Sequence, residues 1–292
     1  MAAPHPELGR LLSAVRRAPA GPVLVLGDVD SGKTRLVQDL AAALADDGPV
    51  LVADADPGQS WIGPPTTLGR ALLARPPADW ARLRPERLFF VGDTSPAANL
   101  RLMISTLGRL VAEGVEPGFR VLADTPGLAV GSLAEAFWLA VTERARPAAV
   151  IALERRGELE PVLRLIRDAG VPITKCAPAP GVRRRDTQER AAFRQAAYAR
   201  YFRTARLRWA GRARLNVTVA APQAGDSLDL GRLACLAAGR RDLGLGVLSA
   251  VGPKRLGLVT PLVSLAGVTD LRLGGLWVDP KTGRETRSPD AL

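Results

Sequence analysis

Residues 24–40 read LVLGDVDSGKTRLVQDL, and this stretch decides the fold. Gly27-Asp28-Val29-Asp30-Ser31-Gly32-Lys33-Thr34 fills every fixed position of G-x-x-x-x-G-K-[ST]. The apolar run Val23–Leu26 precedes it and a helical pattern follows, so the motif stands between strand and helix. In that setting the glycines let backbone N–H groups wrap phosphates, and the helix N-terminus adds its partial positive charge. Lys33 is placed to reach the β- and γ-phosphates, and the Thr34 hydroxyl to ligate Mg²⁺. Gly27, Asp30, Ser31, Gly32 and Arg35 complete the candidate nucleotide-binding stretch. The loop names a nucleotide but not the acceptor of its phosphate, since motors, switches and kinases all use one.

Outward from the loop, short apolar runs alternate with amphipathic segments through about residue 203. The candidate strands are 23–26, 50–53, 88–91, 121–123, 150–153 and 173–176, with helical patterns at 33–46, 97–113, 132–145 and 158–169. This alternation predicts an α/β fold: a P-loop NTPase with a mostly parallel sheet flanked by helices. After about residue 204 shorter apolar runs are punctuated by Gly and Pro, as in LGVLSAVGPKRLGLVTPL, and predict a small β-rich C-terminal domain. The expected boundaries are 1–203 and 204–292. Polar, Pro-rich loops around 57–67 and 177–187 are expected to be mobile near the ligand.

A chain of 292 residues is long enough to bury a full core. Its net charge is +11, and only four of the 40 basic residues are lysines. Arginine suits bidentate phosphate contacts, so a polyanionic partner is one reading of this excess; a high-GC genome is the other. Cys176 and Cys235 are far apart and suggest neither a metal site nor a disulfide framework, which fits the cytoplasm. No run approaches the roughly 18 apolar residues of a membrane span. His5, the only histidine, sits in a Pro-rich start and is expected to be solvated. Histidine acid–base chemistry is thereby all but excluded, leaving carboxylates, Lys and Arg to carry catalysis.

Three carboxylates cluster at strand ends in the sequence. Asp54 and Asp56 follow the second strand as alternate residues, and Asp124 ends RVLADTPG like a Walker B acid. Ligands of open α/β sheets lie beyond the carboxyl ends of the strands, which puts these acids by the phosphates. One acid suffices to hold Mg²⁺, with Thr34, Asp54 and Asp124 the candidate metal ligands. Another is then available to orient or deprotonate a nucleophile. The structural alternative for Asp54 is a strand-end cap.

The order of motifs resembles the polynucleotide 5′-hydroxyl kinase family, which includes the kinase subunit of the eukaryotic pre-mRNA cleavage factor and the pre-rRNA processing kinases. The resemblance rests on Gly27–Thr34, on Asp54-x-Asp56-x-Gly58-Gln59 and on Gly63-Pro64-Pro65-x-Thr67-x-Gly69. It continues through FVGDTSPAANL, DTPGLAVG and GVRRRDTQERAAFRQAAYARYF, spanning about residues 21–203. It implies ATP with Mg²⁺, and a γ-phosphate moved to the 5′-hydroxyl of single-stranded RNA or DNA. Asp56 matches the general base, and Lys33 and Thr34 the phosphate lysine and Mg²⁺ ligand. Thr94, Ser95, Pro96 and Asn99 match a clasp on the nucleic acid, and Arg185 and Arg190 match lid arginines.

Gln59, Trp61, Thr125 and Arg184 are further candidate substrate contacts, Trp61 as a base-stacking face in place of the Trp that some relatives carry at the position of Leu128. The bland alternatives are a loop anchor for Trp61, an exposed arginine face for 183–190, and an ordinary helix entry for Thr94–Asn99. Tyr198, Tyr201 and Phe202 have spacings that predict core packing. The sequence opens almost at the loop, and from this a prokaryotic member without the N-terminal β domain of the eukaryotic members is expected. The competing function is a P-loop ATPase or GTPase that binds RNA or a protein partner without kinase activity, although no guanine-reading N-K-x-D is present.

Overall fold

The run Val23–Leu26 is buried along its whole length, and the strand it forms is central in the computed structural model, which describes residues 4–113 and 118–291. In chain order the elements are α1 (Leu8–Arg17), β1 (Pro22–Gly27), α2 (Lys33–Leu44), β2 (Val50–Asp54), β3 (Thr67–Leu73), β4 (Arg87–Phe90), α3 (Leu100–Ala112), β5 (Arg120–Asp124), α4 (Ser132–Ala145), β6 (Ala149–Leu153), α5 (Glu160–Asp168), β7 (Ile173–Cys176) and α6 (Thr187–Phe202). Then follow β8 (Arg206–Gly211), β9 (Asn216–Val219), β10 (Arg232–Ala238), β11 (Arg241–Val251), β12 (Arg255–Thr260), β13 (Asp270–Val278) and β14 (Glu285–Thr286). They form two compact units. The first holds Met1–Asp56, Gly69–Glu86 and Met103–Arg185; the second holds Pro57–Leu68, Arg87–Leu102 and Asp186–Leu292. The second unit thus resumes at Asp186, ahead of residue 203 where the sequence texture changes.

In the first unit the strands run β3-β2-β5-β1-β6-β7, parallel throughout except that β3 is antiparallel to β2. Burial on both faces is what continuous Val, Leu, Ile and Ala runs require, and it is the reason those runs read as strands. The register sets Asp54 of β2 directly beside Asp124 of β5. Two elements were not expected from the sequence. β3 was hidden because Gly69 and Arg70 interrupt its apolar run; Arg70 is nonetheless buried, with its guanidinium on the Leu110 carbonyl at 3.2 Å. α1 buries only Leu11 and Val15, one helical turn apart, too thin a stripe to stand out among its arginines.

His5, expected to be solvated, is buried instead. It accepts the Glu7 N–H on Nδ1 at 3.2 Å, so its Nε2 is the donor to the Ala177 carbonyl at 3.0 Å. Both cysteines are buried and free, and burial pushes the Cys176 thiol up to about 11. No helix among the described residues is long and apolar enough to cross a membrane.

In the second unit the sheet order is β14-β13-β10-β11-β12-β8, antiparallel, with β9 parallel to β13. Alternation along β10 builds two cores. Leu233, Cys235 and Ala237 pack with Tyr198 and Phe202 of α6, while Ala234 and Leu236 pack with Leu256, Leu258, Leu271 and Leu273. Tyr201 joins the first core and accepts the Leu245 N–H at 2.7 Å. The three aromatics of α6 are therefore packing residues, as their spacing predicts.

Candidate active site

The loop after β1 has the backbone its glycines permit. Gly32 lies at φ +94° immediately before α2, and a Cβ on Gly27 would sit 2.5 Å from Ser31 Oγ and 3.0 Å from the Leu153 carbonyl oxygen. Asp30 adopts the left-handed region at φ +55°, which Asp tolerates better than most residues. Lys33 is buried; its Nζ donates to the carbonyls of Gly27 at 3.0 Å and Asp28 at 2.8 Å, folding the ammonium back over the loop. Ser31 Oγ is buried with no hydrogen-bond partner, an orphaned hydroxyl inside the cradle. A bound polyphosphate would satisfy it, so the loop fits a nucleotide.

Beside the loop, Thr34 Oγ1 donates to Asp124 Oδ2 at 2.5 Å. A hydroxyl and a carboxylate in contact at the end of β5 are the hard oxygen donors Mg²⁺ prefers, and that ion is usually held by one or two protein groups plus substrate phosphates. The chemistry of these donors fits Mg²⁺, although no group of three His, Cys, Asp or Glu side chains forms a metal cluster among the described residues. Asp54 is fully buried, and its Oδ1 accepts the Asp56 N–H at 3.2 Å. That bond turns the chain so that Asp56, half-buried, leaves the strand end next in line. The DTPG turn passes close by, since a Cβ on Gly127 would lie 2.5 Å from Val29 Cγ2. Thr125 is fully buried and donates its hydroxyl to the Val25 carbonyl at 2.7 Å, fastening β5 to β1. Leu128 gives its carbonyl to Trp138 Nε1 at 2.7 Å. Arg35, at the start of α2, pairs with Asp39 at 2.8 Å.

Two acids inside an anion-binding loop need cations near them, and Arg184 and Arg185 supply these. Asp28 is ion-paired with Arg184. Asp30, with its side chain 3% exposed, accepts from the Arg185 backbone N–H at 3.0 Å and from Nε at 2.8 Å. The Asp28 partnership is a contact to the loop that its motif does not reveal. Its only trace in the sequence is a pair of acids at variable positions of the loop and a run of arginines much later.

In the second unit, the segment Asp93–Asn99 is held by the C-terminal sheet. Buried Asp93 takes both terminal nitrogens of Arg287, at 2.8 and 2.9 Å, and the Ser95 N–H at 2.8 Å. Asn99 donates to the Ala220 carbonyl at 2.8 Å and accepts from the Leu102 N–H at 3.1 Å. The Gly275 N–H donates to the Gly92 carbonyl at 2.7 Å. Ser95 stands at the N-cap of a short 3₁₀ turn, Pro96–Asn99, without a side-chain cap bond, and Thr94 is half-buried beside it. Gln59 and Trp61 are both half-buried in the loop after Asp56. Arg190 lies in the first turn of α6, which a capping box between Asp186 and Glu189 starts. Asp93 and Arg287 were not singled out from sequence, because nothing local marks residues 194 apart as partners.

Residues 27–204 match the family model described as the mRNA cleavage and polyadenylation factor CLP1 P-loop. The chain is 34% identical over 186 residues to a polyribonucleotide 5′-hydroxyl-kinase of Pyrococcus furiosus, covering 63% of this chain and 51% of that protein. It is also 34% identical over 143 residues to the polyribonucleotide 5′-hydroxyl-kinase of Methanocaldococcus jannaschii, covering 49% and 39% of the two chains. The chain therefore spans about half the length of the first of these relatives and less of the second. Its fold is similar to that of Clp1p in a solved Clp1p–Pcf11p complex, with a TM-score of 0.72 at 15% identity over 93% of this chain and 78% of that one.

Proposed function

Because the chain belongs to the CLP1 P-loop family, we propose that it is an ATP-dependent polynucleotide 5′-hydroxyl kinase acting on RNA, and on DNA where the pocket admits it. The observation that carries this reading is the contact of Thr34 Oγ1 with Asp124 at 2.5 Å, with Asp56 following the adjacent strand end as a second, separate carboxylate. A switch or binder needs the first arrangement only. An alcohol acceptor also needs a group to take its proton.

In this mechanism Lys33 leaves the loop carbonyls for the β- and γ-phosphates, and the loop N–H groups hold the triphosphate. Thr34 and Asp124, with Asp54 beside Asp124 on the adjacent strand, would hold Mg²⁺, which when bound would supply neutralisation of phosphate charge. Asp56 accepts the proton of the 5′-hydroxyl. The bond from the 5′-oxygen to the γ-phosphorus forms, the bond to the bridging oxygen breaks, and ADP departs with that oxygen. Arg185 and Arg190 stabilise the charge that develops; an arginine in this role is worth ~10³–10⁵ in rate. Gln59, Trp61, Thr94, Ser95, Asn99 and Arg184 are assigned to the nucleic acid. The two free cysteines accord with a reducing compartment, and we assign the protein to the cytoplasm.

The test is transfer from γ-labelled ATP with Mg²⁺ to a short single-stranded RNA bearing a 5′-hydroxyl, beside its 5′-phosphorylated twin and a 5′-hydroxyl DNA. Label on the hydroxyl RNA and none on its twin is the expected result. Release of free phosphate with no labelled oligonucleotide would make water the acceptor and overturn the assignment.

A further inference from the structure

The second unit carries a face that phosphoryl transfer does not use. β8 is the edge strand of its sheet and pairs with β12, with Leu207 opposite Val259, Trp209 opposite Gly257, and Gly211 opposite Arg255. Residues opposite one another project to the same side, so Leu207, Trp209 and Arg255 share a face. That face is open: Leu207 is 47% exposed and Trp209 46%. Gly257 makes room for the indole, since a Cβ there would lie 3.3 Å from Trp209 Cζ3. The Arg255 guanidinium stands 4.2 Å from the ring centroid. The alternation RLRWAGRARL therefore turns Trp209 outward and Ala210 into the core, so the strand presents more than a basic stripe.

Charge in the segments that build this face is one-sided, although Arg206 and Arg208 alternate with Leu207 and Trp209 and project to the other side of the strand. Residues 203–225 hold five arginines and residues 243–269 hold Lys254 and Arg255, and neither stretch contains an Asp or Glu. Elsewhere in the unit Arg194, Arg272 and Arg287 each meet a carboxylate. Arg212, Arg214, Lys254 and Arg255 have none within ion-pair distance among the described residues. The Arg212 N–H donates to the Lys254 carbonyl at 3.0 Å, which brings these cations together at the end of β8 and β12. A hollow of about 510 Å³ opens beside them, with Trp209, Arg214 and Leu215 on its wall. Arginines alone would serve to guard an edge strand against pairing. They do not explain an exposed indole with a guanidinium stacked on it.

We propose that this face binds single-stranded nucleic acid, with a base stacking on the Trp209–Arg255 pair and phosphates following Arg212, Arg214 and Lys254. Aromatic and guanidinium planes for bases beside a positive track for the backbone are the elements of such sites. The inference goes beyond the kinase reading and needs neither ATP nor chemistry.

The test is fluorescence anisotropy of a short, 5′-phosphorylated, 3′-labelled single-stranded RNA, without ATP, across a salt series. Trp209→Ala is expected to weaken binding about 5- to 150-fold, the span of a lost base–aromatic stack, and Trp209→Phe to retain most of it. Arg212→Ala/Arg214→Ala should lower the slope of log affinity against log salt by about 1.4, two phosphates' worth. Arg17→Ala/Arg75→Ala, at two exposed arginines with no ion pair among the described residues, is the matched control for lost surface charge, and circular dichroism checks that each variant folds. A chain that proves inactive as a kinase but loses RNA affinity on Trp209→Ala would leave the inference standing. Unchanged affinity in both Trp209→Ala and the double arginine variant would overturn it. So would unchanged RNA binding together with loss of self-association in sedimentation, which would give the face to a second copy of the chain.

Discussion

The carboxylate of Asp30, inside the phosphate loop, accepts from both the backbone N–H and Nε of Arg185, at 3.0 and 2.8 Å. The same guanidinium is the one proposed for the transferring phosphate, so in this state an acid of the cradle stands where a phosphate would compete. Asp30→Asn removes the charge and keeps a residue that tolerates the left-handed backbone at φ +55°, which Ala would not. One unit charge at contact distance is worth at least ~1 kcal/mol even in water, or roughly five-fold. The variant should bind ATP about five-fold more tightly or better, and its kcat should fall because Arg185 is less well held. Nucleotide affinity measured by calorimetry and found unchanged would show that Asp30 and the phosphates do not compete.

Asp56→Asn preserves size and the backbone bond to Asp54 Oδ1 but cannot take a proton at neutral pH. Transfer to a 5′-hydroxyl RNA should be abolished while ATP binding persists. Near-normal turnover in the labelled-phosphate assay would remove Asp56 from the role of base and pass it to another carboxylate.

Thr34 and Lys33 separate metal from phosphate. Thr34→Ala deletes the hydroxyl that touches Asp124 and should raise the Mg²⁺ concentration needed for half-maximal rate about ten-fold or more, with Thr34→Ser restoring it. Lys33→Ala should abolish transfer at any Mg²⁺. A Thr34→Ala enzyme with an unchanged Mg²⁺ titration would place the metal elsewhere.

Arg190 is tested by kinetics rather than by position. Arg190→Ala should lower kcat by at least about 10²-fold, in line with arginine-finger losses. A rise in KM with kcat intact would make it a substrate contact instead.

The parts of the fold and site that were legible in sequence are those whose signal is local. Gly27–Thr34 carries its whole geometry in consecutive residues, and β1, β2, β5 and β6 are apolar runs with no interruption. β3 escaped because Arg70 sits where an apolar residue was expected, its charge met by the Glu86 carboxylate at 3.5 Å and its N–H by the Leu110 carbonyl. His5 escaped for a similar reason, since burial beside Ala177 is fixed by residues far away in the chain. Asp28 with Arg184, and Asp93 with Arg287, are pairs that no local signal joins: Arg184 was legible as a candidate substrate contact, but its partner in the loop was not.

Arg287 is the most direct test of what the C-terminal sheet contributes. It grips Asp93, whose side chain is 2% exposed, through two parallel bonds, and Asp93 in turn fixes the Ser95 N–H at the head of the proposed clasp. Removing the guanidinium leaves a buried carboxylate short of its main partner, at a cost of about 1–3 kcal/mol. Arg287→Ala should therefore unfold at lower denaturant and raise KM for RNA, while its affinity for ATP holds. Arg287→Lys keeps the charge but not the fork, and should recover stability more than it recovers KM. If Arg287→Ala instead weakened ATP and RNA binding equally in a filter assay, the pair would be a general support of the fold and not a positioning device for the segment Asp93–Asn99.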